Sequence, residues 1–233
     1  MKFKIIIPLL VVSVFIGLFY FTVRTKEEST PGSNSIKSNP IPENRHNEFT
    51  IVAFGDSLTA GYGVSLNESY PSMLEKELQK KISNVKVINM GVSGETTTAA
   101  LERIDFVLSQ KPNLVLLGLG ANDMLRSSSP ATAKKNLRAI LQKFKDANIP
   151  VVLLGMKSVA NNGKEYAAEF DSIYPPLAKE FNVQLVSFFL EGVALDPSLN
   201  TSDGIHPNKA GYEKIIQQNI LPVLDPLLSR LLQ

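Results

Sequence analysis

The 233-residue chain contains no cysteine, which excludes disulfides, thiolate nucleophiles and cysteine-based metal sites. Histidine is almost as scarce, with only His46 and His206. A histidine-based zinc centre would need both of them together with carboxylates. They sit in unrelated sequence contexts, so neither a metal nor an organic cofactor is expected. Charge of one sign is not concentrated anywhere: 24 basic residues face 22 acidic ones, the formal net charge is +2, and no long basic block occurs. The electrostatic footprint of a nucleic-acid binder is therefore missing. No internal repeat competes with a globular reading. With 44% apolar residues the chain can bury a substantial core, and its length points to one main domain.

The longest apolar run lies at the amino terminus. After Lys2 and Lys4, the stretch Ile5–Val23 carries no charge. At about 1.5 Å per helical residue it approaches the ~30 Å hydrocarbon core of a bilayer, and Pro8 falls in the first turn, where proline is tolerated. A cleavable signal peptide has a shorter apolar region, roughly 7 to 15 residues, ending in a small-x-small signal; here the exit reads FYFTVRTKEE. Residues 1–24 are thus expected to form an uncleaved transmembrane signal anchor. Lys2 and Lys4 are balanced by Arg24 and Lys26, so charge alone does not orient the span. The short basic tail before the apolar run resembles the n-region of secreted proteins and places the rest of the chain on the extracytoplasmic side. Residues 25–47, rich in Ser, Pro, Asn and charge, have the composition of a flexible tether. His46 lies in this tether, which leaves His206 as the candidate catalytic histidine of a domain spanning residues 48–233.

Within that domain, apolar runs recur at FTIVAF (Phe49–Phe54), VKVINM (Val85–Met90), LVLLGL (Leu114–Leu119), VVLLG (Val151–Gly155) and VQLVSF (Val183–Phe188). Such runs suit strands buried on both faces. Between them, apolar residues three and four apart predict helices around Tyr70–Leu78, Leu137–Phe144 and Tyr166–Phe181, with a weaker pattern over Thr97–Leu108. A last helix is expected from near Asn208 towards Leu232, kinked at Pro222. Five alternations of strand and helix read as an α/β domain: a doubly wound, flavodoxin-like, five-stranded parallel sheet flanked by helices. In such sheets the site forms at the carboxyl ends of the strands, so catalytic residues should follow the apolar runs directly.

Each candidate residue has a structural explanation when taken alone. After the first strand, FGDSLTAGYG presents Ser57 at a strand-to-helix junction, where Asp56 or Ser57 could serve merely as a helix cap. The loop lacks the Gly-Lys-Ser/Thr ending of a phosphate loop, and it does not fit the G-x-S-x-G nucleophile elbow. After the second strand, Gly91 in MGVSGETT could aim its N–H into a cleft or simply make a turn. After the third, GLGANDML supplies Asn122, a turn former or an N–H donor. Near the carboxyl terminus, TSDGIHPNKAGY places Asp203 three residues before His206. A capped helix start with Pro207 in its first turn explains the Asp, Gly and Pro there but not the histidine.

Taken together these pieces supply what acyl transfer by serine needs: a nucleophile, a base, an orienter for the base and donors for the oxyanion. The order GDSL, Gly91, GAND and DGIH on an α/β pattern resembles the SGNH (GDSL-type) hydrolase family. Within it the resemblance is to the bacterial thioesterase I / protease I / lysophospholipase L1 branch. It runs from about Phe49 to Leu221 and includes SGETTTAAL, GANDMLR, IYPPLAKEFNV and DGIHPN. The resemblance implies Ser57 as nucleophile, His206 as general base and then acid, and Asp203 as the residue orienting His206. It implies an oxyanion hole from the N–H groups of Ser57 and Gly91 and the side chain of Asn122. Asp56 and Asp123 are expected to hold their loops by hydrogen bonds.

Similar proteins act on aryl and alkyl esters, acyl thioesters and lysophospholipids, and the loops MKSVANNGKEY and FFLEGVALDPS are the expected determinants of acyl choice. Phe188, Phe189 and Leu190 could equally finish the core. The same fold and site also support a carbohydrate O-acetyl esterase or acyltransferase. A membrane-tethered, non-catalytic binding module is the alternative outside enzymes.

Overall fold

The computed structural model describes residues 48–158 and 162–233. The expected anchor (1–24), the tether (25–47) and Val159, Ala160 and Asn161 lie outside the described residues. Among those described, no helix is long and apolar enough to cross a membrane.

Five strands form one parallel sheet: β1 (Phe49–Gly55), β2 (Val85–Gly91), β3 (Leu114–Gly118), β4 (Val151–Leu154) and β5 (Gln184–Val186). Their order is β2-β1-β3-β4-β5, every neighbouring pair being parallel. This is the expected doubly wound arrangement, and its strand order reverses between β1 and β3, where a crevice opens beyond the strand ends. The central strands β3 and β4 are buried through Leu114–Leu117 and Val151–Leu154, as their unbroken apolar runs require. The second run departs from that expectation. β2 is an edge strand, with Lys86 and Asn89 exposed, and a charged side chain on an edge discourages pairing with another chain.

The flanking helices are α1 (Ser57–Ala60), α2 (Tyr70–Gln79), α3 (Thr97–Glu102), α4 (Ile104–Ser109), α5 (Ala121–Leu125), α6 (Pro130–Asp146), α7 (Lys164–Asp171), α8 (Tyr174–Phe181), α9 (Lys209–Ile215) and α10 (Leu221–Leu231). Three sequence expectations are corrected. The helical pattern over Thr97–Leu108 is two helices that break at Arg103, whose backbone leaves helical geometry. The pattern over Tyr166–Phe181 divides into α7 and α8, since Pro175 and Pro176 in the first turn of α8 have no N–H to continue α7. In the last helix, Asn208 caps α9 by accepting the Gly211 N–H at 3.0 Å, and Pro207 stands before the cap, bridged to Asn200. The irregularity expected at Pro222 falls just ahead of it, as a π turn over Ile216–Ile220. A proline ring crowds the carbonyl four residues earlier, and a widened turn relieves that clash.

Candidate active site

Ser57 sits where the core places it. Ile51, Val52, Ala53 and Phe54 of β1 are fully buried, so the end of the strand has little freedom. The chain then enters α1 at once. Asp56 is the cap of that helix, accepting the Leu58 N–H at 3.0 Å, and Ser57 is its first residue. Capping thus falls to Asp56 and not to the candidate nucleophile beside it, and the N–H of Ser57 is one of the donors that a helix start leaves without an intrahelical partner.

His206 approaches from the opposite end of the chain, on the turn before α9. Its Nε2 lies 2.8 Å from Ser57 Oγ and its Nδ1 2.7 Å from Asp203 Oδ2. With Nδ1–H donating to the carboxylate, Nε2 is left to accept the serine proton. The other oxygen of Asp203 accepts the N–H groups of Ile205 and His206, both at 3.0 Å, and the Thr201 hydroxyl at 2.9 Å. Desolvation opposes ionisation of this carboxyl. The Ile205 N–H, the His206 ring and N–H, and the Thr201 hydroxyl outweigh it and hold Asp203 well below the usual carboxylate range. One ionised residue thus shapes the turn and orients the base.

Asn122 lies in the first turn of α5, directly after β3, so it and Ser57 flank the reversal of strand order. Its Nδ2 is buried and is the only such side-chain nitrogen or oxygen among the described residues without a hydrogen-bond partner. Leaving a buried donor unsatisfied costs about 1 to 3 kcal/mol, which marks Asn122 Nδ2 as a candidate oxyanion donor.

Gly91, expected as an oxyanion donor, has its N–H engaged within the protein. Its N–H donates to Asn89 Oδ1 at 2.9 Å, and it is a glycine because the α1 backbone packs on it: an added Cβ would lie 2.1 Å from Ala60 N. Three residues on, Gly94 has φ +80, and no hydrogen bond to its N–H is found among the described residues. Its carbonyl accepts from Arg126 at 2.7 Å. Gly94 is thus a candidate donor that sequence reasoning passed over. It was present in the stretch SGETTTAAL, but two glycines follow β2 and only the fold tells which N–H is taken.

The loop carrying Gly94 is clamped on both sides. Glu95 is buried and paired bidentately with Arg103, which also donates to the Met90 carbonyl at 2.8 Å at the end of β2. Asp123, buried beside Asn122, accepts the Thr97 N–H at 2.8 Å and its hydroxyl at 2.7 Å, which ties α5 to the start of α3. Asp56 and Asp123 thus act as structural anchors. Burial pushes the Asp56 carboxyl up to about 7, the Leu58 N–H works against this, and the nearby Glu95 and Asp123 charges add to it. The Arg103 and Arg126 contacts carry no motif signal and could not be foreseen.

The chain matches the model of the GDSL-like lipase/acylhydrolase family over residues 53–214. It is 43% identical over 181 residues to thioesterase 1/protease 1/lysophospholipase L1 of Escherichia coli (strain K12), covering 77% of this chain and 85% of that protein. It is 41% identical over 158 residues to the arylesterase of Vibrio mimicus, covering 67% and 79%. Among solved structures, AlinE4, an SGNH-hydrolase family esterase, superposes with a TM-score of 0.65 at 46% identity, over 78% of this chain and 97% of that one.

Proposed function

The chain belongs to the GDSL-like lipase/acylhydrolase family and is a serine hydrolase of the SGNH type, and from that premise we propose that it cleaves carboxylic esters and acyl thioesters through an acyl-enzyme on Ser57. The observation that carries this reading is the hydrogen-bonded chain from Asp203 through His206 to Ser57 Oγ. Ser57 Oγ attacks the acyl carbon as Nε2 of His206 takes its proton, and Asp203 stabilises the imidazolium. The developing oxyanion is met by the N–H of Ser57, Nδ2 of Asn122 and the N–H of Gly94. The C–O or C–S bond then breaks and His206 returns the proton to the leaving group. Water, deprotonated by the same histidine, releases the acid.

The names of the relatives support aryl esters, acyl thioesters and lysophospholipids as the substrate range. The uncharged run Ile5–Val23 is in keeping with lipid-derived acyl donors at a membrane. The unbroken triad weighs against a non-catalytic binding module. The test is to label wild type and Ser57→Ala with a fluorophosphonate and assay both on nitrophenyl esters and acyl thioesters of increasing chain length. Ser57→Ala should fail to label and should lose on the order of 10⁴-fold or more in kcat; equal rates in the two proteins refute the assignment.

A further inference from the structure

Tyr62 is a large aromatic residue that is 54% exposed yet packs against the catalytic base, its ring centroid 4.8 Å from that of His206 at an interplanar angle of 45°. Its placement is built. It stands between Gly61 and Gly63, at φ +82 and +83, a backbone that side chains rarely adopt. The N–H groups of Gly61 and Tyr62 both donate to the Ser57 carbonyl, at 3.0 and 3.1 Å, so the turn folds back onto the nucleophile's own helix. An added Cβ at Gly63 would lie 3.0 Å from Thr201 Cγ2, on the residue whose hydroxyl supports Asp203. Close approach of these two turns is what brings the tyrosine over the histidine.

Serine acyl transfer fixes what lies beside the base. The proton leaving Ser57 Oγ is held on His206 Nε2 and must pass to the oxygen or sulfur of the departing group, so that group lies against His206 at the moment of bond cleavage. The acyl part is held on the other side, by Ser57 and the oxyanion donors. We infer that Tyr62, with Ile205, the half-exposed residue that precedes His206, forms a leaving-group subsite that favours aromatic or extended apolar alcohols and thiols. This rests on the acyl-enzyme reading above. The contact with His206 is made by the Tyr62 ring, and an aromatic or apolar leaving group is recognised by ring surface, so phenylalanine should replace it.

The experiment holds the acyl group constant as butyrate and compares aryl leaving groups with small fluorinated alkyl ones of matched acidity. Wild type, Tyr62→Phe and Tyr62→Ala are assayed with the full chain. Tyr62→Ala should lose roughly three- to tenfold in kcat/KM for aryl butyrates relative to alkyl ones, the factor one aromatic contact supplies, and Tyr62→Phe should restore it. The deacylation rate, read from burst kinetics, should be unchanged, since the leaving group has gone by then. Melting temperatures establish that the variants fold. Equal losses for every leaving group, together with slowed deacylation, would make Tyr62 a support for His206 and overturn the inference. A shift in acyl-length preference at a fixed leaving group would move it to the acyl side and overturn it equally. Fluorophosphonate labelling, whose departing fluoride needs no platform, separates the two levels. Unchanged labelling in all three proteins with unaltered aryl preference sinks only the subsite, whereas no labelling in any of them sinks the serine-hydrolase reading itself.

Discussion

The two halves of the candidate site are held by different forces. Ser57 and Asn122 follow β1 and β3, whose residues are almost wholly buried, so hydrophobic packing of the sheet sets their positions. Asp203 and His206 belong to a turn outside the sheet, where Asp203 is only partly shielded and the geometry rests on the hydrogen bonds it accepts. On the sheet side the core sets the geometry and chemistry borrows it. On the turn side one carboxylate does both, with little core beneath it.

The largest effect that tests this contrast is Asp203→Asn. The amide can donate to His206 Nδ1, which favours the wrong tautomer, and it gives up the charge that steadies the imidazolium. A fall in kcat of roughly 10³- to 10⁴-fold is expected, with a melting temperature lowered much less than by a core truncation, because solvent screens a charge on a partly exposed turn. A drop in melting temperature as large as that of a core truncation would break the contrast.

Asn122→Ala addresses the sheet side and should act more mildly. Loss of one oxyanion donor costs about 10² to 10³ in kcat, with KM changed far less, since the donor is engaged in the transition state and not in the bound substrate. Thermal stability should be unchanged or slightly higher, because the variant removes a buried donor that has no hydrogen-bond partner among the described residues. An equal rise in KM would instead assign Asn122 to substrate binding.

The same division explains what could be read from the sequence. The strand runs, Ser57 and Asn122 were legible because burial on both faces leaves a continuous apolar signature and the site follows where each run ends. Asp203 and His206 were legible for another reason: the domain offers one histidine, and its carboxylate stands three residues away. The engagement of the Gly91 N–H was not legible, because apolar pattern places a loop but not the direction of each N–H within it. That direction depends on Asn89 and on the contact with Ala60, neither visible in a pattern. The Arg103 clamp was illegible because a helix pattern spanning Thr97–Leu108 conceals the break that lets its guanidinium reach Glu95 and Met90. Tyr62, within FGDSLTAGYG, was not legible as part of the site, since the placement of its ring over His206 depends on the turn at Thr201 that packs against Gly63.

The smallest effect on rate and the most telling for the buried side comes from Asp56. Its carboxyl is 1% exposed and is raised to about 7, whereas in an unfolded chain it titrates near ~3.9. Between these values the folded protein keeps a proton that the unfolded chain has released, so this group's contribution to stability is fully present below about pH 4 and declines as pH rises, until it is lost above about pH 7. Asp56→Asn retains an oxygen to cap Leu58 and has no proton to lose. The melting temperature of wild type minus that of Asp56→Asn should therefore fall between pH 4 and pH 8, by several degrees for a loss on the order of 4 kcal/mol. All other titrating groups are common to both proteins and largely cancel in the difference. A difference that stays flat across this range would mean that Asp56 is ionised throughout. The base of the nucleophile loop would then be held by charge, as the histidine turn is, and the contrast between the two halves of the site would disappear.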